Sequence, residues 1–380
     1  MDQSRSEIIR FIQTWLIVYF SLTYSFLIAK LVSPGKIRFL LISPVVCLFL
    51  LLPLRLTSIH LGGTTAFFIS WLATFKLILF SFNKGPLSSD PNISLLRFIA
   101  TGSLPIKINP KSKLDATPRG RPAPDRDPGS QIWKPAMRYA VKAMLLAVLF
   151  KLYDFKARLH PTAILFLYCF HIYFVLEFML AVVGAAARAG LGLELEPQFN
   201  EPYLATSLKD FWGKRWNLVV TSILRPTVYE PTMNIITGPT CQLSRNQAEP
   251  IAVLATFGVS AIMHELMIYN LGRLHPTGKM SSFFLLHGLC VVSETAVLRR
   301  LKGKWRVPRV VSSSYTILIV MSTAIWLFFP DFLRARADVK SFQEYAALGQ
   351  FIESVTNGSI FRSFNGIVSV QHFFQQLLSY

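Results

Sequence analysis

The chain has 380 residues, of which 52% are hydrophobic, 13% are aromatic and only 16% are charged. This composition is too apolar for an ordinary soluble protein of this length and indicates a protein that folds in a lipid bilayer. The formal net charge of +19 does not indicate a nucleic-acid-binding protein, because the Lys and Arg residues cluster in short loops between apolar segments. In such loops they set membrane topology and attract anionic headgroups.

Apolar segments of about 20 residues, long enough to cross the hydrocarbon core, recur along nearly the whole chain. The first is too long for a signal peptide and has no clear cleavage site, so we expect it to remain as a span. We therefore expect an all-α polytopic membrane protein in which residues 1–380 form a single membrane-embedded domain. Eight spans are predicted, near residues 8–31, 37–55, 61–82, 136–154, 161–183, 249–271, 281–298 and 310–330.

The distribution of basic residues predicts the orientation of these spans. With a lumenal N-terminus, the loops richest in Lys and Arg face the cytosol, as the positive-inside rule requires. The stretch RRLKGKWRVPR at residues 299–309 has six basic residues and no acidic residue, so it is the loop most firmly predicted to be cytosolic.

Two other cytosolic loops differ in composition. The loop at about residues 107–130 is rich in proline and charge, which is typical of a flexible tether, and it has no aromatic residue for stacking on bases. The segment at about residues 184–247 mixes aromatic, charged and proline residues, most densely in SLKDFWGKRWN at residues 207–217. We expect this segment to be ordered, with part of it forming an interfacial helix.

The sixth predicted span, FGVSAIMHELMIYNLG at residues 257–272, carries His264 and Glu265 among apolar residues. Ionisable groups are costly at this depth, so a functional role is the first hypothesis. Gly258, Ser260 and Ala261, one to two turns earlier, are expected to let another helix or a ligand approach that face. The alternative is that His264 only hydrogen-bonds a neighbouring helix, as is also possible for His287.

Other chemistries have little support in the sequence. A zinc protease is excluded because Ile268 stands where HExxH needs its second histidine, and the four cysteines form no CxxC pair. No serine-hydrolase elbow or phosphate-binding loop is present, so neither a metal nor a cofactor is expected. Glu177 and Glu294, in the fifth and seventh spans, are expected to form structural pairs, although a carrier that moves protons through such acids stays open as a non-enzymatic alternative.

Acyl transfer from a thioester suits a single neutral histidine. The thioester is already activated, so the attacking alcohol needs only a base that accepts its proton, and neither a metal nor a covalent intermediate is required. Burial disfavours the charged imidazolium, so His264 is expected to be neutral and able to act as that base.

With SLKDFWGKRWN and His264 together, the chain resembles the membrane-bound O-acyltransferases, and specifically their plant wax synthase branch. The resemblance extends over nearly the whole chain. It implies that His264 is the catalytic base and that Asn217 is the polar residue of the motif. It also implies a protein of the endoplasmic reticulum, with acyl-CoA as donor and a lipid alcohol as acceptor, both of which enter a central tunnel through the membrane. Four stretches carry it, at residues 60–87 (HLGGTTAFFISWLATFKLILFSFNKGPL), 197–217 (PQFNEPYLATSLKDFWGKRWN), 263–266 (MHEL) and 286–290 (LHGLC).

A long-chain fatty alcohol is the expected acceptor, which gives a wax ester. Sterol O-acylation and transfer from acetyl-CoA to diacylglycerol are the alternatives within this chemistry. Asn217 is expected to orient a substrate or to hydrogen-bond its carbonyl group. The residues expected to bind acyl-CoA, the basic ones through its phosphates, are Trp212, Lys214, Arg215, Trp216 and Arg225. Anchoring of these cations to lipid headgroups is the alternative reading.

Overall fold

The structure, a computed structural model, describes residues 2–108, 128–239, 241–301 and 307–356, without the side chains of residues 2–5, 128–136 and 353–356. The proline-rich loop predicted at about residues 107–130 lies almost entirely outside the described residues, as does part of the basic stretch that ends at Arg309. The described residues form helices joined by short connections, and they contain no β-strand. The expected all-α fold is confirmed.

The α-helices are numbered here in chain order. They are α1 (Asp2–Leu31), α2 (Lys36–Leu51), α3 (Ile59–Thr65), α4 (Thr74–Ser81), α5 (Leu95–Ser103), α6 (Pro128–Tyr153), α7 (Pro161–Leu191), α8 (Leu208–Asp210), α9 (Leu218–Leu224), α10 (Glu230–Thr237), α11 (Arg245–Gly272), α12 (Lys279–Leu301), α13 (Arg309–Thr323), α14 (Phe329–Arg334) and α15 (Ala337–Thr356). Wider π-helical turns continue some of them without a break, at Ala66–Ala73, Phe211–Arg215, Arg225–Tyr229 and Ala324–Phe328.

Among the described residues, seven helical segments are long and apolar enough to cross a membrane. They are Ser6–Leu31, Lys36–Arg55, Ile59–Ser81, Pro161–Leu191, Arg245–Gly272, Lys279–Leu301 and Arg309–Arg334. They coincide with seven of the eight predicted spans, so the polytopic membrane fold is confirmed. The remaining predicted span, at residues 136–154, is helical as part of α6, but it is not one of the seven and stays a prediction. The expected central tunnel and interfacial helix also stay predictions.

Helix α1 illustrates how these segments divide their surface. Thr14, Val18 and Leu22 follow one another at helical spacing and are fully buried. Large apolar residues on other sides of the same helix are exposed, with Phe20 72% exposed. In water such a surface would promote aggregation, whereas in hydrocarbon it costs nothing, so the pattern fits a lipid-facing helix.

One polar group inside a span, the ammonium group of Lys76, is paired with backbone carbonyl groups. Lys76 of α4 is fully buried, and its Nζ donates to the carbonyl oxygens of Thr101 at 2.7 Å and Leu104 at 2.6 Å. These carbonyl groups lie at the C-terminal end of α5, where the partial negative charge of the helix stabilises a cation. Lys76 therefore connects two helices, and an intramembrane lysine is satisfied without an acidic partner.

The chain divides into two compact units, one formed by Met1–Ile108 with Leu180–Ser341 and the other by Asn109–Met179 with Phe342–Tyr380. Within the second, Lys142 pairs with Glu177 at 2.5 Å, which agrees with the structural role expected for this glutamate. The first unit contains all the predicted site residues. The expectation of a single membrane-embedded domain stays a prediction.

Candidate active site

His264 lies in the C-terminal half of α11 and is half-buried. Aromatic rings from three other helical segments surround it. Its imidazole stacks on Phe284 of α12, with ring centroids 4.0 Å apart and an interplanar angle of 28°. Trp71 meets it nearly perpendicularly at 4.8 Å and 80°, and Phe328 lies 6.4 Å away. The imidazole therefore faces other helices of the protein.

The hydrogen bonds of His264 determine which of its nitrogens carries the proton. Nδ1 lies 2.8 Å from the carbonyl oxygen of Ser260, one turn earlier in α11. A carbonyl oxygen only accepts, so Nδ1 carries the hydrogen and Nε2 keeps its lone pair. Nε2 makes no hydrogen bond within the described residues. The side chain is thus oriented at one nitrogen and able to accept a proton at the other.

Glu265, the next residue, has a different role. Its Oε1 accepts hydrogen bonds from the backbone N and from the Oγ of Ser281, both at 3.0 Å. Ser281 lies in the first turn of α12, where backbone N–H groups have no partner within their own helix. Glu265 therefore joins α11 to the start of α12 and caps it, which is a structural role for the second ionisable residue of this span.

His287, on α12, is fully buried and has both nitrogens occupied. The indole N–H of Trp212 donates to Nδ1 at 2.9 Å, so Nε2 carries the hydrogen and donates to Thr323 Oγ1 at 2.8 Å. Thr323 in turn donates to the Ile319 carbonyl oxygen at 2.7 Å. This chain of hydrogen bonds connects residues 207–217, called the motif segment below, with α12 and α13. His287 therefore hydrogen-bonds neighbouring helices, as the sequence left possible, and has a structural role.

The motif segment is ordered, as expected, and begins with the short helix α8. Ser207 caps it by accepting a hydrogen bond at Oγ from the backbone N of Asp210 at 2.9 Å, and Glu294 of α12 accepts at Oε2 from the backbone N of Lys209 at 3.1 Å. The two acceptors satisfy N–H groups that a helix start leaves unpaired. Glu294 is therefore structurally paired, and it attaches the motif to α12.

Arg215 and Asp210 hold the turn of the motif closed. Arg215 Nε donates to Asp210 Oδ2 at 2.6 Å, and its Nη1 donates to the carbonyl oxygens of Asn200 and Glu201, both at 3.2 Å. A half-buried guanidinium with three protein acceptors is stabilised by them. Arg215, expected to meet acyl-CoA phosphates, is thus engaged within its own segment.

Asn217 ends the motif and begins α9. Its backbone is left-handed, with φ 42° and ψ 66°, a conformation that asparagine adopts more easily than most residues. Its Oδ1 caps α9 by accepting from the backbone N of Val220 at 3.5 Å. Within the described residues its amide nitrogen makes no hydrogen bond, so that N–H₂ group is able to donate to a substrate.

Trp212 brings the motif segment to the surroundings of His264. Its ring lies 5.8 Å from the ring of Phe284, which stacks on His264, and its backbone carbonyl accepts from Thr221 of α9 at 3.1 Å. Asn217 caps that same helix. The structure therefore joins Asn217 to His264 through Trp212 and Phe284, without a hydrogen bond between the two residues.

The other residues expected to bind acyl-CoA differ in exposure. Lys214 is exposed and makes no ion pair among the described residues. Arg225 is 70% exposed and pairs at 3.2 Å with Glu230, itself 52% exposed, a kind of contact that contributes little to stability. Trp216 is half-buried and stacks on Phe211, with centroids 5.4 Å apart. Of the three cations expected to bind acyl-CoA, Lys214 is the one that is exposed and makes no ion pair among the described residues.

Three aromatic neighbours of His264 were missed by sequence reasoning: Trp71, Phe284 and Phe328. Each lies in an apolar segment where large apolar residues are common, so no local signal distinguishes it. Of the small residues expected to allow a close approach, Ala261 is 2% exposed and packs in one cluster with Phe283 and Phe284 of α12. The tightest glycine contact between α11 and α12 is made by Gly288, which sequence reasoning did not single out. A Cβ on Gly288 would lie 3.0 Å from Phe257 Cβ, whereas nothing lies within 4 Å of the corresponding position on Gly258.

Within the described ranges, no group of three or more His, Cys, Asp or Glu side chains is arranged to hold a metal ion. His264 offers one ring nitrogen without a hydrogen-bond partner among the described residues, next to the rings of Trp71, Phe284 and Phe328.

Comparison with known proteins identifies the family. Residues 195–286 match the model of the membrane-bound O-acyl transferase family, and this range includes every predicted site residue. The chain is 46% identical to an acyl-CoA–sterol O-acyltransferase of Arabidopsis thaliana over 348 residues. The matched stretch covers 91% of this chain and 96% of the relative. The chain is 40% identical over 358 residues to a long-chain-alcohol O-fatty-acyltransferase of Simmondsia chinensis, with 93% and 97% covered.

Identity at this level over nearly the full length of both relatives, together with a helical membrane fold that contains the motif and an intramembrane histidine, carries one conclusion. The chain belongs to the membrane-bound O-acyltransferase family, in its plant wax synthase branch, and is an acyltransferase.

Proposed function

We propose that the protein transfers an acyl group from acyl-CoA to the hydroxyl of a lipid alcohol, with His264 as general base. The observation that carries this proposal is the state of one imidazole. Nδ1 of His264 is bound to a carbonyl oxygen, aromatic rings orient the ring, and Nε2 is the nitrogen able to take a proton. His287 has both nitrogens engaged and cannot take this role.

The reaction needs one proton to move twice. The alcohol gives its proton to Nε2 of His264 as its oxygen forms a bond to the thioester carbonyl carbon. The carbon–sulfur bond then breaks, and the departing thiolate of CoA takes the proton from Nε2. Ester and free CoA leave, and His264 returns to its starting tautomer. Proton acceptance of this kind contributes about 10²–10⁴-fold to rate, and positioning of both substrates supplies much of the rest.

Asn217 and Lys214 are assigned to substrate binding. The Asn217 amide is held by its cap on α9, and its N–H₂ group suits a substrate carbonyl oxygen. Lys214 is exposed on the segment predicted to be cytosolic, where acyl-CoA phosphates arrive, and a cation there attracts them. Arg215 supports this site indirectly, because it keeps the turn between Asp210 and Asn217 closed.

A long-chain fatty alcohol is proposed as the acceptor, in an endoplasmic reticulum membrane. The long-chain-alcohol O-fatty-acyltransferase of Simmondsia chinensis supports this assignment. A sterol is the second candidate, because the sterol O-acyltransferase of Arabidopsis thaliana is 46% identical over 91% of the chain. The motif and His264 are proposed to act on the hydroxyl of the acceptor and the carbonyl of the thioester, and these groups are the same for both acceptors. The preference for a fatty alcohol or a sterol therefore depends on the residues that line the rest of the acceptor site.

The test is a product assay in microsomes that contain the protein. Labelled palmitoyl-CoA and acetyl-CoA are each supplied with hexadecanol, a sterol or diacylglycerol, and the labelled ester is identified. We expect a wax ester from palmitoyl-CoA and hexadecanol. Sterol ester without wax ester would establish the second candidate. Absence of ester from every combination, with the protein correctly inserted, would contradict the proposed function.

A further inference from the structure

Among the residues that the structure describes, no acceptor pairs with the buried indole nitrogen of Trp71. Trp71 is 2% exposed, and its Nε1–H has no hydrogen-bond partner within the described residues. Buried N–H groups are nearly always paired, because water no longer satisfies them, and an exception calls for an explanation. Two other tryptophans of this bundle follow the rule, since Trp15 donates to Thr65 Oγ1 at 3.2 Å and Trp212 donates to His287 Nδ1 at 2.9 Å.

The position of Trp71 suggests what the donor serves. Its ring centroid lies 4.8 Å from that of His264, at an interplanar angle of 80°, so the two rings are in contact. Phe67, one turn earlier, packs against the same indole at 5.7 Å and 87°. Both residues lie on the π-helical turn Ala66–Ala73, and such turns are frequent at functional sites. The turn and the Phe67 ring hold the indole against His264.

The reaction brings an acceptor oxygen to this place. For transfer, the alcohol oxygen must lie within hydrogen-bond reach of His264 Nε2 and about 3–3.5 Å from the carbonyl carbon of the thioester. The carbonyl oxygen is bonded to that carbon, so it lies within a few ångströms of the imidazole. As the new carbon–oxygen bond forms, the electron pair of the carbonyl bond moves onto this oxygen, and a fixed N–H donor stabilises the negative charge.

Resting on the proposed function, we infer that Trp71 binds the thioester carbonyl oxygen through its Nε1–H and stabilises the charge that develops there. Trp71 is then a catalytic residue, contributed by a predicted span far from the motif in sequence. The substrate supplies the acceptor that the described residues do not. Asn217 offers a second N–H donor, and two donors on one oxyanion are compatible, since such an oxygen accepts more than one hydrogen bond.

The test removes the N–H and keeps an aromatic ring. In Trp71→Phe we expect kcat to fall about 10²- to 10³-fold, the range for loss of one such donor, while KM for the alcohol changes less than about 2-fold. Trp15→Phe is the matched control, because it removes a tryptophan N–H of the same bundle that already has a partner. Its kcat is expected to stay within about 2-fold of the wild type.

Binding of two unreactive analogues distinguishes donation from packing. An acyl-CoA ketone, in which a methylene replaces sulfur, keeps the carbonyl oxygen, and an S-alkyl thioether of CoA lacks it. Trp71→Phe is expected to weaken binding of the ketone at least about 5-fold and to leave binding of the thioether unchanged. Equal weakening of both analogues would assign Trp71 to packing and overturn the inference, as would a kcat equal to that of the wild type.

Two outcomes separate this inference from the proposed function. Loss of ester formation in His264→Ala with normal turnover in Trp71→Phe removes only the role of Trp71. Normal turnover in His264→Ala removes the proposed base. Should Trp71→Phe accumulate poorly, benzothienylalanine at position 71 keeps the bicyclic shape and replaces the N–H by sulfur. Binding of the same two analogues to this variant then distinguishes hydrogen-bond donation from packing.

Discussion

His264 and His287 lie on the neighbouring helices α11 and α12, and the groups around the two rings place the imidazole hydrogen on different nitrogens. His264 has its hydrogen on Nδ1 and makes no hydrogen bond at Nε2 within the described residues. His287 has its hydrogen on Nε2, and both nitrogens are engaged, by Trp212 and Thr323. Both pack against Phe283 or Phe284 of α12. Residue type and apolar surroundings therefore do not distinguish the two histidines, whereas the unengaged nitrogen of His264, the proposed base, does.

The most direct test of this difference removes the unengaged nitrogen of His264. We expect His264→Ala to reduce ester formation at least about 10²-fold, because general-base catalysis is lost, while the protein inserts normally in the membrane. His264→Gln is the matched variant, since its amide can still donate to the Ser260 carbonyl oxygen but cannot act as a base. Labelled-ester assays at equal protein level measure both. Near-normal activity in either variant would rule out His264 as the base.

A change at Asn217 tests whether its amide does more than cap a helix. Asn217→Asp keeps the capping oxygen and the tolerance for a left-handed backbone, and it removes the N–H₂ donor. We expect kcat to fall about 10- to 10²-fold, somewhat less than the largest losses seen for a positioned donor, with protein level retained. Asn217→Ala, which also loses the cap, is expected to lower both. Full turnover in Asn217→Asp would leave Asn217 a structural role only.

A change at His287 is expected to lower stability rather than turnover. His287→Ala leaves the Trp212 N–H and the Thr323 hydroxyl without their partner, and an unsatisfied buried group costs about 1–3 kcal/mol. We expect a lower melting temperature in detergent, with turnover per folded molecule within about 10-fold of the wild type. In His287→Asn, the amide oxygen is able to accept from Trp212, so part of the stability should return. A variant that keeps its stability and loses all turnover would reverse the assignment of the two histidines.

The smallest effects are expected at the two neighbouring cations of the motif. Lys214→Ala is predicted to raise KM for acyl-CoA about 2- to 10-fold, an effect that added salt should weaken, because an exposed charge contact contributes little and is screened. Arg215→Ala is predicted to lower the melting temperature instead, because it releases Asp210 and two carbonyl groups. An unchanged KM in Lys214→Ala would discard phosphate binding there and favour anchoring to headgroups.

Hydropathy along the chain was enough to predict the helical membrane fold and the position of seven spans, because a bilayer requires long apolar segments with their backbone hydrogen bonds satisfied inside each helix. The same rule made His264 conspicuous, since an ionisable residue in such a segment is rare and costly. The residues around Asn217 stood out for a similar reason, as a dense polar and aromatic stretch between spans.

Other features depend on contacts between residues far apart in sequence, which no local pattern contains. Lys214 and Arg215 are adjacent and chemically alike, yet the fold engages Arg215 with Asp210 and leaves Lys214 exposed. Trp71 and His264 are separated by nearly two hundred positions, and their rings are in contact. Which nitrogen of a histidine carries the proton, and which tryptophan lacks an acceptor, follows from the groups that packing brings next to each ring, because a hydrogen bond requires two groups within about 3 Å.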